Sequence, residues 1–141
     1  MKQGIEHFLK RLRNYYQVNV LETRSARYSR QQEKQAIEFE SKHLKKAIEK
    51  NRGYLIVLDM EGRKMSSQKL AGFLKNKQDQ GVNRFTFLIG GAYGLTEEIK
   101  NQADLLLSLS DMTFTHEMAR IILLEQIYRA ASINAGSPYH H

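Results

Sequence analysis

Apolar residues along the chain recur at helical spacing in some stretches and form unbroken runs in others, and the two patterns alternate. Ile5, Phe8, Leu9 and Leu12 share one face of a helix predicted over residues 4–16, with Arg11 and Arg13 pointing elsewhere. Val18-Asn19-Val20-Leu21 then alternates as a strand does. Ser29 and Gln32 have capping-box spacing and open a long helix to about Asn51 that carries Ala36, Ile37, Phe39, Leu44, Ala47 and Ile48, with Gly53 ending it. Tyr54-Leu55-Ile56-Val57-Leu58 is apolar without alternation, the signature of a parallel strand covered on both faces, and Asp59 and Gly62 mark its turn. Ser66 or Ser67 can cap a helix through about Lys77. Phe85-Thr86-Phe87-Leu88-Ile89 is the next buried strand, stopped by Gly90-Gly91. Thr96 with Glu97 and Glu98 suits the start of a short helix, because a hydroxyl cap and first-turn carboxylates both favour that end. Leu105-Leu106-Leu107 is a third core strand.

The segment from Thr115 to about Ala131 leaves little polar face, since Met118, Ala119, Ile121, Ile122, Leu123, Leu124, Ile127, Tyr128, Ala130 and Ala131 surround the axis. A helix apolar nearly all round must be covered nearly all round, and in a small domain part of that cover is expected from a second chain. The order of strands and helices predicts an α/β fold with a parallel sheet, without internal repeat or linker. With 141 residues, the whole of 1–141 reads as a single domain.

Composition narrows the chemistry. The chain has no cysteine, which excludes disulfides and thiolate catalysis, and no apolar run long enough for a membrane span. Its start, Met1-Lys2-Gln3-Gly4-Ile5-Glu6-His7-Phe8, is a polar amphipathic segment rather than a secretory leader, so a soluble cytoplasmic protein with no membrane partner is expected. The net charge of +7 is confined to one part: residues 1–52 hold 13 Lys and Arg against 6 Asp and Glu, whereas residues 53–141 hold 9 of each. A localised basic surface attracts phosphates and favours RNA or DNA as a partner; Lys42, Lys45, Lys46 and Lys50 can equally serve to solvate one helix face.

Three segments that follow strands belong on the carboxyl edge of a parallel sheet, where ligands of open α/β folds bind. They are Leu58-Asp59-Met60-Glu61-Gly62, the turn Ile89-Gly90-Gly91-Ala92-Tyr93-Gly94-Leu95, and Ser108-Leu109-Ser110-Asp111-Met112-Thr113-Phe114-Thr115-His116. The glycine turn matches neither G-x-G-x-x-G nor the P-loop, so a dinucleotide or nucleoside triphosphate is not indicated, while a nucleoside lying on bare backbone is compatible with it. The histidines show no metal-ligand spacing, and no metal site is expected.

These segments, together with Leu124-Glu125-Gln126-Ile127-Tyr128-Arg129-Ala130 and the ending Pro138-Tyr139-His140, closely resemble the RlmH family, the pseudouridine N3-methyltransferases of the large ribosomal subunit within the SPOUT class. The likeness is dense from Gly53 to His140 and looser before, where Gly4-Ile5 through Lys10-Arg11-Leu12 is similar to the family's first helix. The resemblance implies a SPOUT-type fold with a C-terminal trefoil knot, a homodimer, S-adenosylmethionine as cofactor, and methylation of N3 of pseudouridine 1915 in 23S rRNA of the ribosome. Family members begin with a strand before that first helix, and this chain starts at the helix, so the first family strand is expected to be absent.

By the same resemblance the cofactor site comprises Leu58, Gly90, Leu109, Ser110, Asp111, Met112, Thr113 and Phe114. Glycine permits close backbone approach to an adenine ring or methionyl group, and exposed loop amides can read adenine edges. Read without the resemblance, Gly90-Gly91 is an ordinary strand-to-helix turn, and Leu58 and Met112 are core packing. The pseudouridine pocket is expected from His116, Arg129, Tyr139 and His140, with no one of them assigned as the base. His116 opens the apolar helix, where a neutral imidazole is favoured. Arg129 lies four residues after Glu125 and either forms a surface ion pair or holds a phosphate or the uracil edge. Two other readings remain: a SPOUT-type methyltransferase acting on another RNA base, and a non-catalytic ribosome-associated RNA-binding protein.

Overall fold

A computed structural model of the chain describes residues 2–22, 32–90 and 95–140. In chain order the elements are α1 (Lys2–Leu12), β1 (Gln17–Glu22), α2 (Glu33–Asn51), β2 (Tyr54–Lys64), α3 (Ser67–Asp79), β3 (Arg84–Ile89), α4 (Glu97–Gln102), β4 (Leu105–Ser108) and α5 (His116–Asn134). The four strands form one sheet in the order β1-β3-β2-β4, and every pairing is parallel.

The unbroken apolar runs have the cause the sequence suggests, because both faces of the sheet are covered and neither side of a strand meets water. Ile56, Phe85, Phe87, Ile89 and Leu107 pack with Ile5 and Leu12 of α1, Leu70 and Leu74 of α3, and Leu123, Leu124 and Ile127 of α5. On the opposite face Leu55, Val57 and Leu88 pack with Leu44 and Ile48 of α2 and Ile99 of α4. Two polar groups inside these layers are bonded: the Thr86 hydroxyl donates to the Asn51 carbonyl at 2.9 Å, and the Leu55 amide donates to the Asp104 carboxylate at 2.8 Å. Asn134, on the last turn of α5, donates to both the Tyr16 hydroxyl and the Ala71 carbonyl at 3.0 Å, tying α5 to α1 and α3.

Helix starts follow their capping chemistry. Ser66, rather than Ser67, accepts from the Lys69 amide at 3.1 Å, Thr96 accepts from Ile99 at 3.3 Å, and Thr115 accepts from Met118 at 3.2 Å. At α2 the cap residue Gln32 makes no side-chain capping bond, and Ser29 lies outside the described residues. The first helix ends earlier than its pattern predicts, at Leu12, with Arg13–Tyr15 in a turn that leads into β1. Phe39, expected on the apolar side of α2, is exposed and stacks edge-on with His43.

The largest departure is in β2. The turn expected at Asp59 to Gly62 is instead a break of register inside a longer strand, which leaves β4 after the Leu58–Leu107 pairing and rejoins it at Arg63–Leu107 and Lys64–Ser108. Gly62 is what allows the return, since a Cβ there would come within 2.7–2.8 Å of the Leu106 carbonyl group and the Leu107 nitrogen. Backbone cannot yield as a side chain does, so Gly62→Ala is expected to destabilise the fold by about 1–3 kcal/mol. Gly72, in the middle of α3, has nothing within 4 Å of an added Cβ, and Gly72→Ala is expected to stabilise by about 0.5–1 kcal/mol. Urea denaturation of both variants at one protein concentration checks the pair; changes of the same sign would contradict this packing.

Candidate functional site

Parallel pairing brings the ends of β2, β3 and β4 to one edge, and the three segments after them meet there. Leu58 closes the first stretch of β2 and packs against the core. Gly90 follows β3, and its carbonyl accepts from Nδ1 of His116 at 3.1 Å, which joins the end of β3 to the start of α5. A carbonyl has no proton to give, so the contact requires Nδ1 to carry one. The loop Leu109 to Phe114 is braced from inside and outside: the Ser108 hydroxyl donates to the Ser110 carbonyl at 3.2 Å, and the Met112 amide donates to the Ser110 hydroxyl at 3.0 Å. Asp111 pairs with Lys64, and the Thr113 hydroxyl lies 3.7 Å from the Met60 sulfur. All eight expected cofactor residues thus lie on one edge, with His116 beside them. Gly91 to Gly94 of the glycine turn lie outside the described residues.

Two thioethers stand exposed at this edge, Met112 at 73% and Met60 at 54%, beside the Lys64–Asp111 pair. Two flexible thioethers beside loop backbone suit the flat, uncharged face of a nucleoside. Among the described residues of this edge, Lys64 is held by Asp111 and Lys100 by Asp59 at 3.5 Å. A Cβ on Gly90 would meet the Leu95 side chain at 2.8–3.3 Å, so the close approach seen at Gly90 within the chain is to Leu95.

The other expected residues assemble elsewhere. Glu125 is their hub: Oε1 accepts from Arg129 Nε at 3.0 Å, Arg129 Nη2 at 2.5 Å and the Tyr139 hydroxyl at 3.2 Å, and Oε2 accepts from the Gln126 amide at 2.8 Å. Arg129 also covers the Tyr139 ring at 5.1 Å, and Tyr139 stands edge-on to Tyr128 at 4.8 Å. Arg129 Nη1 lies 3.0 Å from His140 Nδ1, and Gln68 Nε2 lies 2.9 Å from His140 Nε2. A guanidinium only donates, so Nδ1 must accept; a neutral ring then carries its proton on Nε2, and the Gln68 amide turns its oxygen to it. Burial first, and then the Glu125 carboxylate, raise the Tyr139 phenol above its ordinary value. Tyr139 therefore remains a donor at neutral pH rather than a phenolate base.

Both readings of Arg129 are met in part, since the ion pair with Glu125 forms and one face of the guanidinium is given to His140. His116 and Arg129 sit thirteen residues apart on α5, about 20 Å at the usual helical rise. One chain thus brings His116 to the loop edge and Arg129, Tyr139 and His140 to a second cluster; His141 lies outside the described residues. Two contributors, Gln68 and Lys64, escaped the sequence reading, because neither carries a local signal. Of the cations behind the charge asymmetry, Arg11 lies over Tyr128 at 5.7 Å beside the second cluster, Lys45 pairs with Glu98 at 2.7 Å, and Lys42, Lys46 and Lys50 are exposed.

If Glu125 holds the tail, Glu125→Gln should raise amide hydrogen exchange at Tyr139 and His140 by about tenfold or more while moving overall stability by under about 1 kcal/mol, as for a partly exposed pair. Exchange equal to the parent's would show that ring stacking on Tyr128 suffices.

The family model described as Predicted SPOUT methyltransferase matches residues 1–140. The chain is similar to the ribosomal RNA large subunit methyltransferase H of Halothermothrix orenii, with 48% identity over 97% of this chain and 88% of that protein. It is similar to the proteins of the same name from Geobacter sp. (strain M21), 44% identical over 100% of this chain and 90% of that protein, and from Acetivibrio thermocellus, 41% identical over 99% and 90%.

Proposed function

Because the chain belongs to the SPOUT methyltransferase family, we propose that it is an S-adenosylmethionine-dependent methyltransferase of large-subunit ribosomal RNA, acting on N3 of a pseudouridine. The observation that supports this reading best is the convergence of Leu58, Gly90 and the loop 109–114 on one sheet edge, with two exposed thioethers beside them. Those residues suit a nucleoside that lacks phosphates. S-adenosylmethionine, when bound, supplies the methyl group as a sulfonium electrophile.

The chain's own residues bind and orient. Loop 109–114 and the backbone after β3 receive the cofactor, and Met60 and Met112 exclude water from it. His116 keeps a proton on Nδ1 against the Gly90 carbonyl. In the second cluster Tyr139 offers a phenol proton and Arg129 a positive charge, both suited to the carbonyl edges of a uracil ring whose imide proton must leave. The target base has to leave its stack to reach either group.

Since one chain separates the two clusters by about 20 Å along a rigid helix, the reading requires a twofold homodimer in which the tail of one chain completes the partner's cofactor edge. Met118, 42% exposed at the start of α5, and the half-buried Ile122 one turn later offer an apolar face for the partner. Ile127 does not, because it is buried within its own chain. A C-terminal trefoil knot belongs to this reading, and a cytoplasmic location accords with an RNA of the ribosome.

Radiolabelled methyl transfer to whole ribosomes and to naked RNA, followed by nucleoside analysis, tests the activity; no transfer to either, with S-adenosylmethionine still bound, would favour a non-catalytic RNA-binding role. Subunit mixing tests the composite site. A chain lacking Tyr139 to His141 and a Gly90→Val chain are each expected to be inactive alone, while their mixed dimer regains one of two sites and up to about half the specific activity. Absence of any recovery in verified mixed dimers would confine each tail to its own pocket.

A further inference from the structure

The amino edge of the sheet, opposite the edge where the cofactor segments meet, holds an open groove of about 350 Å3. Helices α1 and α2 both bring their last turns there, since α1 leads into β1 and α2 into β2, and β3 begins beside them. Gln17 and Arg84 line the groove as register partners at the first positions of β1 and β3. Arg13 from the turn after α1, Asn19 of β1 and Asn51 at the end of α2 join them. Tyr16 and Val18, the other lining residues, carry no charge, so among the described residues the groove presents two guanidinium groups, three carboxamides and no carboxylate.

A pocket for a nucleoside or an apolar ligand is mostly hydrophobic, and this one is not. Its cations are also unspent. Arg52, one residue beyond Asn51, is engaged by Asp104 at 3.4 Å and by the Gln102 carbonyl at 3.3 Å, whereas neither Arg13 nor Arg84 makes a side-chain hydrogen bond or ion pair among the described residues. Arg84 is nevertheless seated: a Cβ on Gly53 would come within 2.5 Å of the Arg84 carbonyl and 2.8–2.9 Å of its Cβ and Cγ, so the stem of this arginine lies against bare backbone. Two guanidinium groups and several amide donors facing one space suit an anion, and phosphate oxygens accept the paired N–H bonds of a guanidinium fork. The surrounding field agrees, because Lys10 and Arg11 in the last turn of α1 and Lys50 in the last turn of α2 stand at the same end of the sheet.

We propose that this groove is a phosphate subsite that grips a phosphodiester of the substrate RNA through Arg13 and Arg84. The proposal rests on reading the protein as one that acts on RNA. Strands β1 and β3 run side by side from the groove to the cofactor edge, which sets the gripped phosphate about 20 Å from Gly90. A backbone contact at that distance places the RNA and reads no base. It holds the ground state and the transition state alike, so it acts on KM and leaves kcat unchanged.

The double variant Arg13→Gln/Arg84→Gln in the full chain provides the test, with Lys42→Gln/Lys46→Gln as an equal loss of charge at exposed residues outside the groove. Binding of naked large-subunit ribosomal RNA is measured over a series of salt concentrations. The arginine pair is expected to weaken it by about tenfold and to lower the salt slope by about 1–2, and the lysine pair to weaken it by under about threefold. KM for ribosomes is expected to rise about tenfold with the arginine pair, with kcat and S-adenosylmethionine affinity unchanged. Equal losses from the two pairs would show a diffuse field and overturn the proposal, as would binding equal to the parent's or a parent that binds no RNA. A loss seen with ribosomes and not with naked RNA would give the groove to a ribosomal protein and overturn it too. If the thermal midpoint of the arginine pair falls by more than about 5 °C, Arg13→Gln alone, at an exposed position of a turn, is compared with Lys46→Gln, and a slope no lower than that of the lysine variant overturns the proposal. Should the parent bind RNA yet transfer no methyl group, the methyltransferase reading fails, and the salt slopes still decide the groove.

Discussion

Parallel pairing is the constraint on which the rest of this structure depends. A parallel strand can be reached only by a crossover, so each of β1, β2 and β3 is followed by chain that must travel back across a face of the sheet. Both faces become covered, by α1, α3 and α5 on one side and α2 and α4 on the other, which is why the strands are apolar without alternation. The same rule delivers every strand's carboxyl end to one edge. Leu58, Gly90 and Leu109 are neighbours there because the strands run in one direction, however far apart they stand in the chain.

The helix α5 adds a second constraint, of length. It begins with His116 bonded to Gly90 and, by Glu125 and Arg129, has reached a region organised by Tyr128, Tyr139, His140 and Gln68. A helix cannot bend back on itself, so the groups at its two ends belong to different places in one chain. The proposed homodimer answers this separation, since a twofold axis would let two rigid helices present both ends at both sites.

Two glutamates show how environment, rather than residue type, decides a carboxylate's part. Glu125 is partly exposed and receives four donors from Arg129, Tyr139 and Gln126, so its charge is spent on ordering the tail. Glu40 is buried, with an oxygen that nothing satisfies among the described residues, and burial pushes its carboxyl up from the ordinary range. The first is a local i,i+4 pair extended by tertiary contacts; the second is a lone acid enclosed on the buried face of α2.

The sequence by itself determined the elements and the layer they would form, because those follow from periodicity and local chemistry. The runs at 54–58 and 85–89 read as doubly covered strands, and Thr96 and Thr115 read as caps, with no knowledge of the fold. It also placed the three segments expected to hold a cofactor on one edge, through the rule that ligands meet parallel sheets there, and the family resemblance named the expected residues. Tertiary structure decided what depends on approach between distant segments. The return of β2 to β4 hangs on the lack of a side chain at Gly62 against backbone more than forty residues away, which no local pattern records. The division of His116 from Arg129, Tyr139 and His140 is set by the span of α5 and the path of the tail. The burial of Glu40 is tertiary as well, because a helical stripe alone does not say which of its positions the rest of the chain will cover.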